Sequence, residues 1–123
     1  MTKKILVVDD EPNIVVSLEF LLKKEGFDVA VAVDGEDALQ KVASFQPDLM
    51  LLDIMMPKKS GYEVCEALRA DPAHAGLQIV MVTAKGRDTE VAKGMAIGAN
   101  AYITKPFSTK DLVAKVKSLL GVA

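Results

Sequence analysis

Five short, mostly apolar runs alternate with five longer segments whose apolar residues recur at helical spacing, and this alternation restricts the folds open to the 123-residue chain. The runs are Lys4 to Val8, Val29 to Val33, Leu49 to Leu52, Ile79 to Val82 and Ala101 to Thr104. Near-continuous apolar runs of this length predict strands covered on both faces, as in a parallel sheet. The helical segments carry Ile14, Leu18, Leu21 and Leu22; Ala38, Leu39, Val42 and Ala43; Val64, Ala67 and Leu68; Val91, Met95 and Ala96; and Leu112, Val116, Leu119 and Leu120. Parallel strands require crossovers, and right-handed helical crossovers cover both faces of the sheet. The expected fold is therefore an α/β, doubly wound parallel sheet of five strands with five helices.

Punctuation agrees with these limits. Pro12 stands where a first helical turn accepts proline, Gly26 follows Lys23-Lys24-Glu25 as a C-terminal cap, and Asp34-Gly35 marks a turn after the second strand. Ser108, three residues before Asp111, can open a capping box on the last helix. The longest irregular stretches are Met55 to Ser60 and Asp71 to Leu77, and no linker, repeat or low-complexity segment interrupts the pattern. Residues 1–123 read as a single domain.

Several function classes are disfavoured. A net charge of −2 and a pI near 5.4 give no general attraction to nucleic acid or anionic membrane. The chain has one cysteine, Cys65, which excludes an internal disulfide and fits a reducing compartment. No apolar run approaches the roughly 18 residues that span a bilayer, and Met1-Thr2-Lys3-Lys4 does not open a signal peptide. The expected location is the cytoplasm.

What the strands end in suggests chemistry. Ile5-Leu6-Val7-Val8 runs into Asp9, Asp10 and Glu11, Leu49 to Leu52 into Asp53, and the last two runs into Thr83 and Lys105. In a doubly wound sheet the site lies beyond the carboxyl ends of the strands, so these groups are expected to share one edge. Clustered carboxylates raise one another's pKa unless a cation intervenes. A hard divalent ion, Mg²⁺ first, suits such a cluster because it binds few carboxylates and accepts phosphate oxygen. Asp53 is then either a third metal ligand or a nucleophile that forms an aspartyl phosphate. Lys105, the Thr83 hydroxyl and the Ala84 amide could neutralise the phosphoryl oxygens. The plainer alternatives are acids at a helix N-terminus, a solvated lysine and a β-branched strand residue.

The set Asp9-Asp10, Asp53, Thr83-Ala84 and Lys105-Pro106-Phe107, with Met56-Pro57 and Ser60-Gly61 between, resembles the CheY-like receiver domain of bacterial two-component response regulators. The resemblance covers essentially the whole chain and implies the strand order 2-1-3-4-5. It implies that Asp53 is the phosphoacceptor for a phosphohistidine on a sensor histidine kinase or histidine phosphotransfer protein. It further implies that Asp10, Asp53 and the Met55 backbone carbonyl hold Mg²⁺, with Asp9 acting through metal-bound water. Thr83 and Lys105 correspond to the switch hydroxyl and the phosphate-binding lysine, and Lys105-Pro106 to a cis peptide. Met55 and Lys85 occupy positions that tune phosphoryl lifetime.

By the same resemblance, Thr83 and Tyr102 form the switch pair and helix four, strand five and helix five the output surface, directed at a downstream protein target. Homodimerisation on phosphorylation is left open. Tyr102 can equally be a half-buried strand aromatic. Gly94 and Gly98 weaken helix four by propensity or serve packing. Lys110, Lys115 and Lys117 form a partner-facing patch or a solvated face, and Val16 and Phe20 a kinase-docking pair or a wider buried face. His74 is expected in an exposed loop, and core packing explains most of Met50, Met55, Met56, Met81 and Met95.

Rival readings are weaker. An aspartyl-phosphate phosphohydrolase commonly carries a general acid two residues after its nucleophile, where this chain has Met55. A flavodoxin-like binder needs a phosphate loop where this chain has Asp9-Asp10-Glu11-Pro12. A degenerate receiver acting as a phosphorylation-independent binding module would lack site residues that are present here.

Overall fold

The computed structural model describes residues 2–56, 59–84 and 88–122, with Asp88 described by its backbone alone. Of the sequence features above, Met1, Pro57 and Lys85 lie outside the described residues. The elements follow in strict alternation: β1 Lys4–Val8, α1 Pro12–Lys24, β2 Asp28–Ala32, α2 Gly35–Phe45, β3 Leu49–Asp53, α3 Gly61–Arg69, a 3₁₀ turn Pro72–His74, β4 Gln78–Ala84, α4 Asp88–Ile97, β5 Ala101–Lys105 and α5 Thr109–Leu120. All pairings are parallel, in the order β2-β1-β3-β4-β5.

The period-two pleat splits the apolar strands into two cores. Leu6, Val8, Met50, Leu52, Ile79 and Met81 meet Ala38 and Val42 of α2 and Val64, Cys65 and Leu68 of α3. Ile5, Val7, Leu49, Leu51, Val80 and Val82 point the other way, against Leu18 and Leu22 of α1 and Leu112 and Val116 of α5. Each large aliphatic side chain buried this way stabilises the fold by about 1.5–3 kcal/mol, so the central strands are the structural anchor. The edge strands depart from the expected two-sided burial, since Asp28 of β2 and Tyr102 of β5 are exposed.

Caps set the helix starts. Asp34 is the N-cap of α2, its side chain accepting from the Asp37 N–H at 2.8 Å, so Asp34-Gly35 opens that helix directly. Ser60 and Glu63 form a reciprocal capping box on α3. Ser108 accepts from the Asp111 N–H at 3.4 Å, the Ser half of the expected box. No helix is long and apolar enough to cross a membrane among the described residues.

Several expected details are corrected. β2 begins and ends one residue earlier than expected, and β4 runs on through Thr83 and Ala84, so those residues are in the strand. Ala43 and Ala67 face solvent, Cys65 taking the core position on α3. On α4 the side facing the sheet centres on Gly94, where a Cβ would stand 3.2 Å from Met81; Met95 and Ala96 point outward. Gly98 lies just past α4 and not within it, at a φ of 130°, with Arg69 closing over it. His74 ends the 3₁₀ turn half-buried, its Nε2 3.7 Å from Asp71. Lys117 pairs with Glu25 at 2.9 Å and Lys115 donates to the Tyr102 carbonyl at 3.3 Å, so the basic face of α5 is partly tied down.

Candidate phosphoacceptor site

The register brings the strand ends together. Val8 pairs with Leu52, so Asp9 comes level with Asp53; Asp53 pairs with Val82, and Ala84 with Lys105. Among the described residues the buried polar or charged ones are Asp9, Asp53 and Thr83, and all three lie at this edge. Buried polar groups away from a site are costly, which makes their concentration here informative. Gly61 permits the geometry: a Cβ on it would stand 2.6 Å from the Asp53 carbonyl oxygen, and its N–H donates to the Ile54 carbonyl at 2.9 Å.

Asp9, Asp10 and Asp53 each offer one oxygen, and these lie within 4.8 Å of one another. Asp10 is exposed, while Asp9 and Asp53 are buried. The Lys105 ammonium is the compensating charge, donating to Asp9 Oδ2 at 2.9 Å and Glu11 Oε1 at 3.2 Å, and lying 3.8 Å from Asp53 Oδ2. Asp9 Oδ1 also accepts the Glu11 N–H at 2.9 Å, and Asp53 Oδ1 accepts the Met55 N–H at 3.4 Å. Burial and then the charge of Asp9 push the Asp53 carboxyl up to about 6, against the opposing pull of Lys105. Burial alone would lower the pKa of Lys105, but its hydrogen bond to Asp9 and the charges of Asp53 and Asp9 raise it. Among the described residues, one cation shared among so many carboxylates leaves the edge short of positive charge.

A cavity of about 150 Å³ opens at this edge, lined by Glu11, Asp53, Met55, Thr83, Glu90 and Lys105 among others. The Thr83 hydroxyl donates to Glu90 Oε1 at 3.2 Å. Ala84 is exposed at the end of β4 and Met55 projects outward with 67% of its surface exposed, so Met55 is not a core methionine. Tyr102 also faces outward on β5, with the Lys115 ammonium 5.5 Å from its ring centre. The Lys105-Pro106 peptide is cis. Val16 and Phe20 are exposed on α1, so they do not widen its buried face.

Sequence reasoning did not find Glu90. It lies seven residues beyond Thr83, in the first turn of α4, and only the packing of α4 beside β4 makes them partners. Glu11 was visible as part of the acidic run, but its contact with Lys105, at the end of β5 with β3 and β4 between them in the sheet, was not.

The model of the response regulator receiver domain matches residues 5–117. The chain belongs to this family. The receiver domain is 47% identical over 120 residues to the alkaline phosphatase synthesis transcriptional regulatory protein PhoP of Bacillus subtilis, an alignment covering 98% of this chain and 49% of PhoP. It thus spans about half the length of that curated relative. Among solved structures, a candidate response regulator of Chloroflexus aurantiacus J-10-fl superimposes with a TM-score of 0.94 at 36% identity, covering 98% of this chain and 99% of that one. The chemotaxis response regulator CheY4 of Vibrio cholerae matches with a TM-score of 0.91 at 28% identity, covering 97% and 99%. The receiver domain is the regulatory module of a two-component response regulator and has the CheY-like fold.

Proposed function

We propose that Asp53 accepts a phosphoryl group from a phosphohistidine on a sensor histidine kinase or histidine phosphotransfer protein. The observation that carries this reading is the meeting of Asp9, Asp10 and Asp53 within 4.8 Å beside the Lys105 ammonium. A carboxylate oxygen of Asp53 attacks phosphorus, the phosphorus–nitrogen bond breaks, and its electron pair returns to the imidazole. With its carboxyl near 6, Asp53 is largely ionised at neutral pH and more basic than an ordinary aspartate.

The hard oxygen donors of Asp9, Asp10 and Asp53 fit a divalent cation, and with the Met55 backbone carbonyl they would hold Mg²⁺. When bound, Mg²⁺ supplies positive charge against the phosphoryl oxygens. Lys105 ion-pairs with one phosphoryl oxygen, and the Thr83 hydroxyl with the Ala84 amide takes another. Thr83 and Tyr102 then change together, and the surface of α4, β5 and α5 presents the new state to a downstream protein target or a second copy. Water attack on the aspartyl phosphate resets the site slowly.

Residues 1–123 act on this reading as one receiver unit in the cytoplasm, with no nucleic acid or membrane contact of their own. The phosphohydrolase alternative lacks its second acid, since Met55 occupies that position with an exposed thioether. The degenerate alternative is disfavoured by the charge-deficient acidic cluster. Intact mass after incubation with Mg²⁺ and acetyl phosphate tests the proposal. A gain of about 80 Da, as an aspartyl phosphate requires, is expected from the native chain and not with EDTA or with Asp53→Asn. Acid-labile labelling of Asp53→Asn equal to that of the native chain overturns the assignment.

A further inference from the structure

We propose that Glu90 is a positioning residue of the switch: its carboxylate holds the Thr83 hydroxyl until a phosphoryl oxygen on Asp53 takes that donor. The inference rests on the phosphoacceptor reading above. A threonine hydroxyl has a single proton to donate, and here it goes to Glu90 Oε1 at 3.2 Å. Thr83 is buried, and Glu90 lines the same cavity as Asp53 and Lys105. A phosphoryl group adds close to two negative charges. It therefore competes with Glu90 for the one proton and repels the Glu90 carboxylate across a small cavity.

A second bond makes the consequence directional. The Tyr62 hydroxyl of α3 donates to the Glu90 backbone carbonyl at 3.0 Å, and the Lys93 ammonium lies 4.4 Å from the Tyr62 ring centre. One turn later Gly94 packs on Met81, with the Tyr62 ring beside it. The first turn of α4 is thus pinned to β4 through the Glu90 side chain and to α3 through its backbone. Taking Thr83 away removes the first of these pins and leaves the second. Glu90 thereby converts a change at Thr83 into a change in how α4 is held, and it biases the domain against the switched state before phosphorylation.

Two readouts on the 123-residue chain test this. The first is the affinity for beryllofluoride, a phosphoryl mimic, with Mg²⁺ present. Glu90→Ala should bind it roughly 10-fold tighter, the equivalent of one charge-assisted hydrogen bond no longer competing. Glu90→Gln, which keeps a neutral acceptor, should gain less. The larger part of both gains should vanish in a Thr83→Ala background, because only the charge repulsion does not pass through Thr83. Unchanged or weaker binding by Glu90→Ala, or a gain that is undiminished without Thr83, overturns the proposal. The second readout is hydrogen exchange without any phosphodonor. Glu90→Ala and Thr83→Ala should each speed exchange in the first turns of α4, and unchanged protection in both overturns it. A native chain that takes up neither beryllofluoride nor acetyl phosphate removes the phosphoacceptor reading, and the exchange measurement then still decides whether the contact holds α4.

Discussion

Replacing Asp53 by Asn should make the metal-free protein more stable, which is an unusual outcome for a buried, hydrogen-bonded residue. Asp53 is only 6% exposed, and its carboxyl is raised from 3.8 to about 6 by burial and by Asp9. A native pKa above the unfolded value means that the fold is penalised for ionising this group. The penalty is absent well below pH 3.8, where Asp53 is protonated in both states. It grows as pH rises from 3.8 toward 6, since the unfolded chain ionises first, and is complete above the native value. A shift of about two pH units corresponds to about 3 kcal/mol. Water reaching the open cavity screens part of this, so we expect Asn to stabilise by about 2 kcal/mol at pH 7.5. Urea unfolding with EDTA at pH 7.5 and pH 4.5 provides the test, the gain shrinking at the lower pH. Adding Mg²⁺ should then stabilise the native chain more than the variant, as ligand linkage requires. A variant no more stable than the native chain at pH 7.5 without metal would refute the electrostatic account of the site.

Two other substitutions probe the same edge. Gly61→Ala puts a Cβ 2.6 Å from the Asp53 carbonyl oxygen and 2.8 Å from the Ile54 Cα; the backbone must shift, costing about 1–3 kcal/mol in urea unfolding and weakening Mg²⁺ binding by titration. Lys105→Ala leaves Asp9 and Asp53 without their cation; Mg²⁺ should then raise the melting temperature more than in the native chain.

The central strands were legible because burial on both faces leaves a continuous apolar run, and a run that meets the sheet edge must end in a polar residue. Asp9, Asp53 and Lys105 could therefore be placed from sequence. The edge strands were less so: β2 and β5 are half-covered, and their limits blur into neighbouring polar residues. α4 misled because Gly94 fills the buried position with no side chain while Met95 is exposed. Periodicity weighs side chains and cannot see a helix seated on a gap. Glu90 escaped for another reason, since its meaning comes wholly from a neighbour across the fold. The capping box of Ser60 and Glu63 has a local pattern and was there to be read.

The chain's single thiol has a practical consequence. Cys65 is fully buried in the core between α3 and the sheet, and burial pushes its pKa up. The native thiol is thus both shielded and protonated at neutral pH, and thiol reagents attack the thiolate. Any modification must wait for α3 to come off the sheet. The protein carries an internal clock for that opening, read at one position and without an introduced label, that sits outside the phosphoacceptor cavity and ticks at a rate set by how firmly the domain is closed.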